Sequence, residues 1–317
     1  MTGQLRNHSP WAQLGIFLGL LGGAFVFTAI LMSVVLLALG LPATNMDFTD
    51  PRMLPVMKGL QAVSSLTIFL LPALFFALIV FKGRPFYALG IRPAVDLRHY
   101  GLAIAIIVFG FPLVILLGEI NQQIPLPEWI TSLESNAEEQ LAAFLRADNF
   151  GEVLLNVFII AVLPAVCEEI CFRGALQGIL TRIFKSPWAG ILAASILFSA
   201  LHFQFQGFLP RMYLGIVLGL MFWFSGSLWP AILAHFVHNA TQVVIVAYSP
   251  EYVNENPDMP LWIGLASAVI VAAGSWFYIR WSTISYAEVT RSEQSGQDPF
   301  DGFDQPDNPP QQNQSIQ

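Results

Sequence analysis

Six residues of this 317-residue chain have the types and spacing for hydrolytic chemistry. Glu168, Glu169 and Arg173 lie in "AVLPAVCEEICFRGALQGIL", residues 161–180. His202 lies in "FSALHFQ", and His235 and Asn239 lie in "LWPAILAHFVHNA". All three stretches are apolar enough to lie in a bilayer, where an ionisable side chain costs about 3 kcal/mol or more unless it faces protein and finds a partner. Glu169 and Arg173 are four residues apart, so one helical face carries both and they can pair. Glu168 is turned about 100° from Glu169 and points elsewhere. His235 and Asn239 share a face by the same four-residue spacing, and His238 stands near it.

A carboxylate, an imidazole and a confined water make a hydrolytic site. Glu168 can act as general base, with His202 holding and polarising the water. His235 and Asn239 can donate hydrogen bonds to the oxyanion of a tetrahedral intermediate. The alternative is a zinc ion held by Glu168, His202 and His235, although the chain has no HExxH helix. Ser195 and Ser199 lie near His202, but no GxSxG elbow supports a serine nucleophile. Cys167 and Cys171 flank Glu168 one turn apart and read as small apolar packing residues.

Depth limits how these residues can meet. Glu168 is 14 residues before Arg182 and His202 is 14 after Trp188, about 21 Å along a helix in each case. Antiparallel neighbours would bring the two to one level. His235 is only seven residues past Leu228, about 10 Å. It reaches that level only if the "SGSLWP" turn is itself buried in protein, with Pro230 starting the next helix. Pro164 lacks an N–H and clashes with the carbonyl of residue 160, so a kink is expected one turn before Glu168, with a freed carbonyl that can admit water.

The elements that must position these groups are membrane spans. The chain is 55% hydrophobic and only 11% charged, with mean hydropathy +0.62, whereas soluble domains are near a quarter charged. The fold class expected is all-α, a polytopic transmembrane bundle of about eight spans with a buried polar site. Apolar runs of spanning length fall near 12–41, 58–81, 100–118, 152–180, 187–206, 209–225, 228–248 and 261–280. The first is too long for a signal-peptide core and reads as a retained, tilted span. The longest polar interval, 119–150, holds Leu133, Leu141, Ala142, Phe144 and Leu145 in the pattern of an amphipathic helix at the interface. GxxxG spacings at Gly15/Gly19/Gly23 and Gly215/Gly219 allow close helix approach.

Residues 1–282 are expected to form the membrane domain, with the catalytic core at about 150–245. Residues 283–317 form an acidic tail, in which Glu288, Glu293, Asp298, Asp301, Asp304 and Asp307 face only Arg291; it cannot build a core and is expected to be disordered. With eight crossings, Arg6, Lys82, Arg84, Arg92, Arg98, Arg182, Lys185 and Arg280 fall on one side of the membrane. Glu251, Glu255 and Asp258 fall on the other. The positive-inside rule then puts both termini in the cytoplasm, in the plasma (inner) membrane. No basic run suggests nucleic acid.

"EEICFR" (168–173), "FSALH" (198–202) and "HFVHN" (235–239) resemble, in order and spacing, the EExxxR, FxxxH and HxxxN motifs of the CAAX protease and bacteriocin-processing (CPBP) family. The resemblance covers about residues 150–245. It implies an intramembrane endopeptidase acting on a membrane-associated protein or peptide; eukaryotic members remove the last three residues of prenylated CaaX proteins. By motif position it implies Glu168 as the base, His202 as its assistant, and His235 and Asn239 at the oxyanion. Glu169 and Arg173 become structural or water-positioning residues. Zinc is left open by these residues. Two other readings use the same cluster, a proton-coupled transporter and a non-catalytic immunity or scaffold protein. No internal repeat of the transporter kind is visible, and every motif position is occupied.

Overall fold

The computed structural model describes residues 9–42, 52–81, 84–92, 94, 96–147, 149–249, 252, 259–282, 285, 286 and 288. Arg6, Lys82, Glu251, Glu255, Asp258 and the tail from 289 onward lie outside them. So does the Leu133 side chain.

The described residues form helices and no strand. In chain order these are α1 (Pro10–Ala38), α2 (Met53–Val80), the short α3 (Pro85–Ala88), α4 (Arg98–Gln122), α5 (Glu128–Leu145), α6 (Phe150–Phe184), α7 (Pro187–Ala200), α8 (Phe208–Ser225), α9 (Trp229–Tyr248) and α10 (Leu261–Arg280). Seven are long and apolar enough to cross a membrane. Their outward faces carry large apolar side chains such as Trp11, Val26, Phe27, Leu37, Phe109 and Val269, each more than half exposed. Such a surface is stable only against lipid. The chain is a multi-pass integral membrane protein.

The fifth expected span, 187–206, is the exception. Helix α7 has 14 residues, about 21 Å, so it is shorter than the hydrocarbon core. It ends at Ala200, and His202 sits in the turn beyond it rather than inside a span extending to 206. The polar interval before α6 contains α5, as its amphipathic pattern predicts. Ala143, Phe144 and Leu145 are its buried apolar residues, while Leu141 stays exposed.

Helix α6 is the axis of the bundle. It runs 35 residues and contains two π-helical stretches, Val157–Val162 and Ile170–Gln177. The first lies just before Pro164. The widened turn accommodates the ring that would otherwise clash one turn back, so the distortion expected before Glu168 takes this form. Helix α2 repeats the device, with a π stretch at Ser65–Leu70 ahead of Pro72. At the end of α6, Lys185 takes a left-handed conformation (φ +54°). Ser186 then caps α7 through Ala189 N–H, with Pro187 in its first turn. The chain thus reverses tightly, and α7 packs back along the end of α6.

That hairpin depends on Gly190. A Cβ there would lie 2.2 Å from Thr181 Oγ1 and 2.8 Å from Thr181 N and Cα. Backbone atoms cannot swing aside, so the helices must separate. Gly190→Ala is therefore expected to lower stability by about 1–3 kcal/mol, read as a fall in the detergent melting temperature. A melting curve superimposable on the wild type would refute this account of the α6–α7 contact.

Candidate active site

The three motifs meet between α6, the end of α7 and the buried start of α9. The "SGSLWP" turn is buried as its depth requires: Ser227 and Leu228 are fully inaccessible and Ser225 nearly so. Its polar groups are satisfied by protein. Leu228 N–H donates to Gly90 O at 2.9 Å, Ser227 Oγ donates to Arg92 O, and Trp229 N–H donates to Ser227 Oγ at 3.2 Å. Helix α9 therefore begins below the surface, with Pro230 in its first turn, and carries His235 to the level of α6.

Glu169 is the node. It is completely buried, and its Oε1 accepts from Arg173 Nη1 at 2.8 Å and from His235 Nδ1 at 2.9 Å. The expected intrahelical pair exists, and the structure adds His235 to it. Its Oε2 is buried without a hydrogen-bond partner among the described residues. Arg173 is also buried and sends Nη2 to Gly215 O of α8 at 3.2 Å. One turn on, Gln177 Nε2 donates to Gly219 O at 3.0 Å. Gly215 and Gly219 leave α8 close to its neighbours α7 and α6 here. A Cβ at Gly215 would lie 2.9 Å from Ser195 Cβ, and one at Gly219 would lie 2.7 Å from Gln177 Oε1.

Glu168 remains outside that node. Its side chain is 11% exposed, and Oε2 lies 4.0 Å from His235 Nε2. Because His235 Nδ1–H is used on Glu169, the nitrogen turned towards Glu168 accepts in the neutral ring and donates only in the imidazolium. His202 is arranged similarly. Its Nδ1 donates to Phe198 O at 2.7 Å, as it must towards a carbonyl, which leaves Nε2 as the acceptor of the neutral ring. His202 lies within electrostatic reach of Glu168, Arg211 and His235.

Phe198 joins these groups. Arg173 Cζ stands 4.6 Å from its ring centroid, and its ring meets His202 edge-on at 4.9 Å and His235 at 6.0 Å. The ring face takes the positive guanidinium, and its bulk fixes both imidazoles. The sequence reading took Phe198 only as a motif letter; its spacing of four before His202 was the available signal.

Asn239 is placed differently. Its Nδ2 donates to Ile160 O at 3.3 Å. Residue 160 lies one turn before Pro164, and an amide from α9 reaches its carbonyl. His238 stacks on Phe111, with centroids 5.2 Å apart and planes 13° apart. Cys167 and Cys171 are buried free thiols. The Ser195 and Ser199 hydroxyls donate to Ile191 O and Phe208 O at 2.7 Å each, consistent with packing roles. For zinc, the Nδ1 bonds leave both imidazole Nε2 atoms with lone pairs, the tautomer a metal needs. Yet among the described residues no three His, Cys, Asp or Glu side chains gather closely enough to share an ion.

The loop after His202 is held from outside. Phe203 has φ +54°, an uncommon conformation for an aromatic residue. Asn121 of α4 donates to Phe205 O and accepts from Leu209 N–H, both at 2.7 Å. Glu134 of α5 accepts from Phe205 N–H, and from Gln206 N–H at 3.2 Å. Arg211 donates to Gln204 Oε1 at 3.0 Å and to Gln204 O. The sequence reading missed Arg211 although it lies in the expected 209–225 span, because nothing near it in sequence marks it as a partner of the site.

With this geometry in place, comparison with known proteins finds a family model that matches part of the chain. Residues 150–241 match the family model described as type II CAAX prenyl endopeptidase Rce1-like. Over 89 residues the chain is 34% identical to the uncharacterized protein YpbD of Bacillus subtilis (strain 168); this covers 27% of the chain and 42% of that relative. No solved structure matches. The resemblance seen in three short motifs is thus met by an Rce1-like match whose limits enclose Glu168, Glu169, Arg173, His202, His235 and Asn239.

The node makes a stability prediction. Arg173→Ala leaves Glu169 buried with His235 alone, and losing one partner of a buried pair costs about 3–5 kcal/mol. The variant should melt well below wild type in detergent. An unchanged melting curve would show that the pair carries no structural load.

Proposed function

We propose that this chain is an intramembrane endopeptidase in which Glu168 activates the attacking water. The observation that carries the reading is the division of labour between adjacent carboxylates. Glu169 is bound by Arg173 and His235, while Glu168 faces His235 Nε2 at 4.0 Å with its side chain partly open. The Rce1-like match over the same residues supports it.

In this reading Glu168 takes one proton of a water whose other hydrogen is held by His202 Nε2. The water oxygen adds to the peptide carbonyl carbon, and the carbonyl oxygen becomes an oxyanion. Collapse breaks the C–N bond, and the departing nitrogen takes the proton from Glu168. The products are a carboxylic acid and an amine, and the enzyme returns to its starting state. His235, as imidazolium through Nε2–H, and Asn239, through the amide hydrogen not used on Ile160, flank the oxyanion. Glu169 and Arg173 hold His235 in place and contact no substrate. The substrate is a membrane-associated protein or peptide, and prenylated CaaX-type C-termini are the first class to try.

Glu168→Gln keeps the shape and removes the base, so proteolysis should fall by at least about 10²-fold, within the range for general-base loss, with the melting temperature preserved. Membrane peptidomics of wild type against Glu168→Gln should reveal an uncleaved precursor accumulating in the variant. A precursor processed equally in both would sink the assignment, and a lost ion flux with unchanged peptides would instead support transport. Cleavage in detergent is further expected to persist after chelation with 1,10-phenanthroline, because no step uses a metal; loss on chelation with recovery on added zinc would replace the glutamate mechanism with a zinc one.

A further inference from the structure

Helices α6 and α8 are in parallel register at the site. Arg173 bonds Gly215 O and Gln177 bonds Gly219 O, and both pairs are 42 residues apart. The next step up this ladder pairs Glu169 with position 211. Arg211 therefore stands at the level of the two carboxylates, and it lies within electrostatic reach of Glu168 and Glu134.

Its hydrogen bonding is incomplete. Two guanidinium nitrogens are held by Gln204, but Nε is buried and has no partner among the described residues. A buried donor on a cation without an acceptor is costly. Two carboxylates are near, yet no hydrogen bond to either is formed. The segment around Arg211 is held firmly as well. Asn121 and Glu134 fix residues 205–209, and Gln204 fixes the guanidinium itself. A rigidly held, charged and unspent donor beside a general base is the arrangement expected of preorganised transition-state stabilisation.

We infer that Arg211 is a further catalytic residue, donating through its Nε edge to the carbonyl oxygen of the scissile bond as that oxygen becomes an oxyanion. This rests on the protease reading above. The charge argument favours an oxyanion over a substrate carboxylate. Glu134 and Glu168 both act on Arg211 already, so a substrate carboxylate would be a third acid competing for one guanidinium. In hydrolysis the negative charge only moves. Glu168 becomes neutral as it takes the proton, and the oxyanion acquires the charge within reach of the same guanidinium. Asn239 has one amide hydrogen committed to Ile160 O, so a charged donor from α8 strengthens a site whose neutral donor is partly spent.

The test uses the full chain in lipid nanodiscs and a library of internally quenched peptides, in which each cleaved peptide supplies kcat and KM. Wild type, Glu168→Gln, Arg211→Met, Arg211→Lys and Arg211→Ala are compared. The expected result is cleavage by wild type, none by Glu168→Gln, and a kcat for Arg211→Met lowered by about 10²–10³-fold with KM little changed. Arg211→Lys retains the charge but lacks the Nε edge, and should recover only part of the rate. Millimolar guanidinium should raise kcat in Arg211→Ala, which a merely structural arginine would not allow. If wild type cleaves and Glu168→Gln does not, while Arg211→Met equals wild type or changes only KM, this inference is overturned and the protease reading stands. If Arg211→Met melts early, the Arg211→Lys rate and the guanidinium response decide alone; full rate in the former or no response in the latter overturns it. If wild type cleaves no peptide, or Glu168→Gln cleaves as well as wild type, the protease reading fails and this inference falls with it.

Discussion

A carboxylate with zero exposure inside a membrane protein has to be compensated on the spot. Glu169 meets that condition with two donors on one oxygen, Arg173 from its own helix and His235 from α9. Arg173 in turn needs more acceptors than Glu169 provides and finds Gly215 O. That demand brings α8 within hydrogen-bonding reach of α6, and glycines at 215 and 219 let α8 lie close against Ser195 of α7 and Gln177 of α6. Phe198 then covers the guanidinium face and packs against the imidazoles of His202 and His235. The positions of α6, α8, α9 and the end of α7 are thus coupled through one ionic group.

The same economy of backbone groups appears beside two prolines that interrupt spans. Each proline leaves a carbonyl that lipid cannot satisfy. At Pro164 the Ile160 carbonyl is met by Asn239. Next to Pro112, inside α4, Ser267 of α10 bridges two backbone groups, donating to Phe109 O at 2.6 Å and accepting from Leu113 N–H at 3.3 Å. Polar side chains in this bundle are therefore of two kinds that composition does not separate: those that mend helices and those that face the site. Asn239 belongs at least partly to the first kind, although its motif position suggests the second.

Much of the site is legible in the sequence where the controlling distance is short. The four-residue spacing of Glu169 and Arg173 gives their pair, and arithmetic on depth gives the buried turn before α9. Pro164 identifies the carbonyl that needs a partner. What is not legible depends on register between helices far apart in the chain. Arg211 is 43 residues from Glu168, and Glu134 reaches a loop 71 residues away. The short α7 also escapes an apolar-run scan, because its hydrophobicity continues past Ala200 into residues that form a turn. Local pattern specifies a helix and its face, but not which neighbour's carbonyl or arginine lies opposite.

The contrast between Glu168 and Glu169 shows why two adjacent glutamates suit chemistry at this depth. One carboxylate alone would have to serve both as anchor for a buried imidazole and as base for water. An anchor must keep its hydrogen bonds throughout, whereas a base must gain and lose a proton in each cycle. A rotation of about 100° between neighbours separates the two tasks with almost no separation in depth. In the proposed mechanism Glu169 stays fixed while Glu168 changes charge. Because His235 touches Glu169 through one nitrogen and faces Glu168 through the other, the fixed carboxylate also holds in position the ring that faces Glu168.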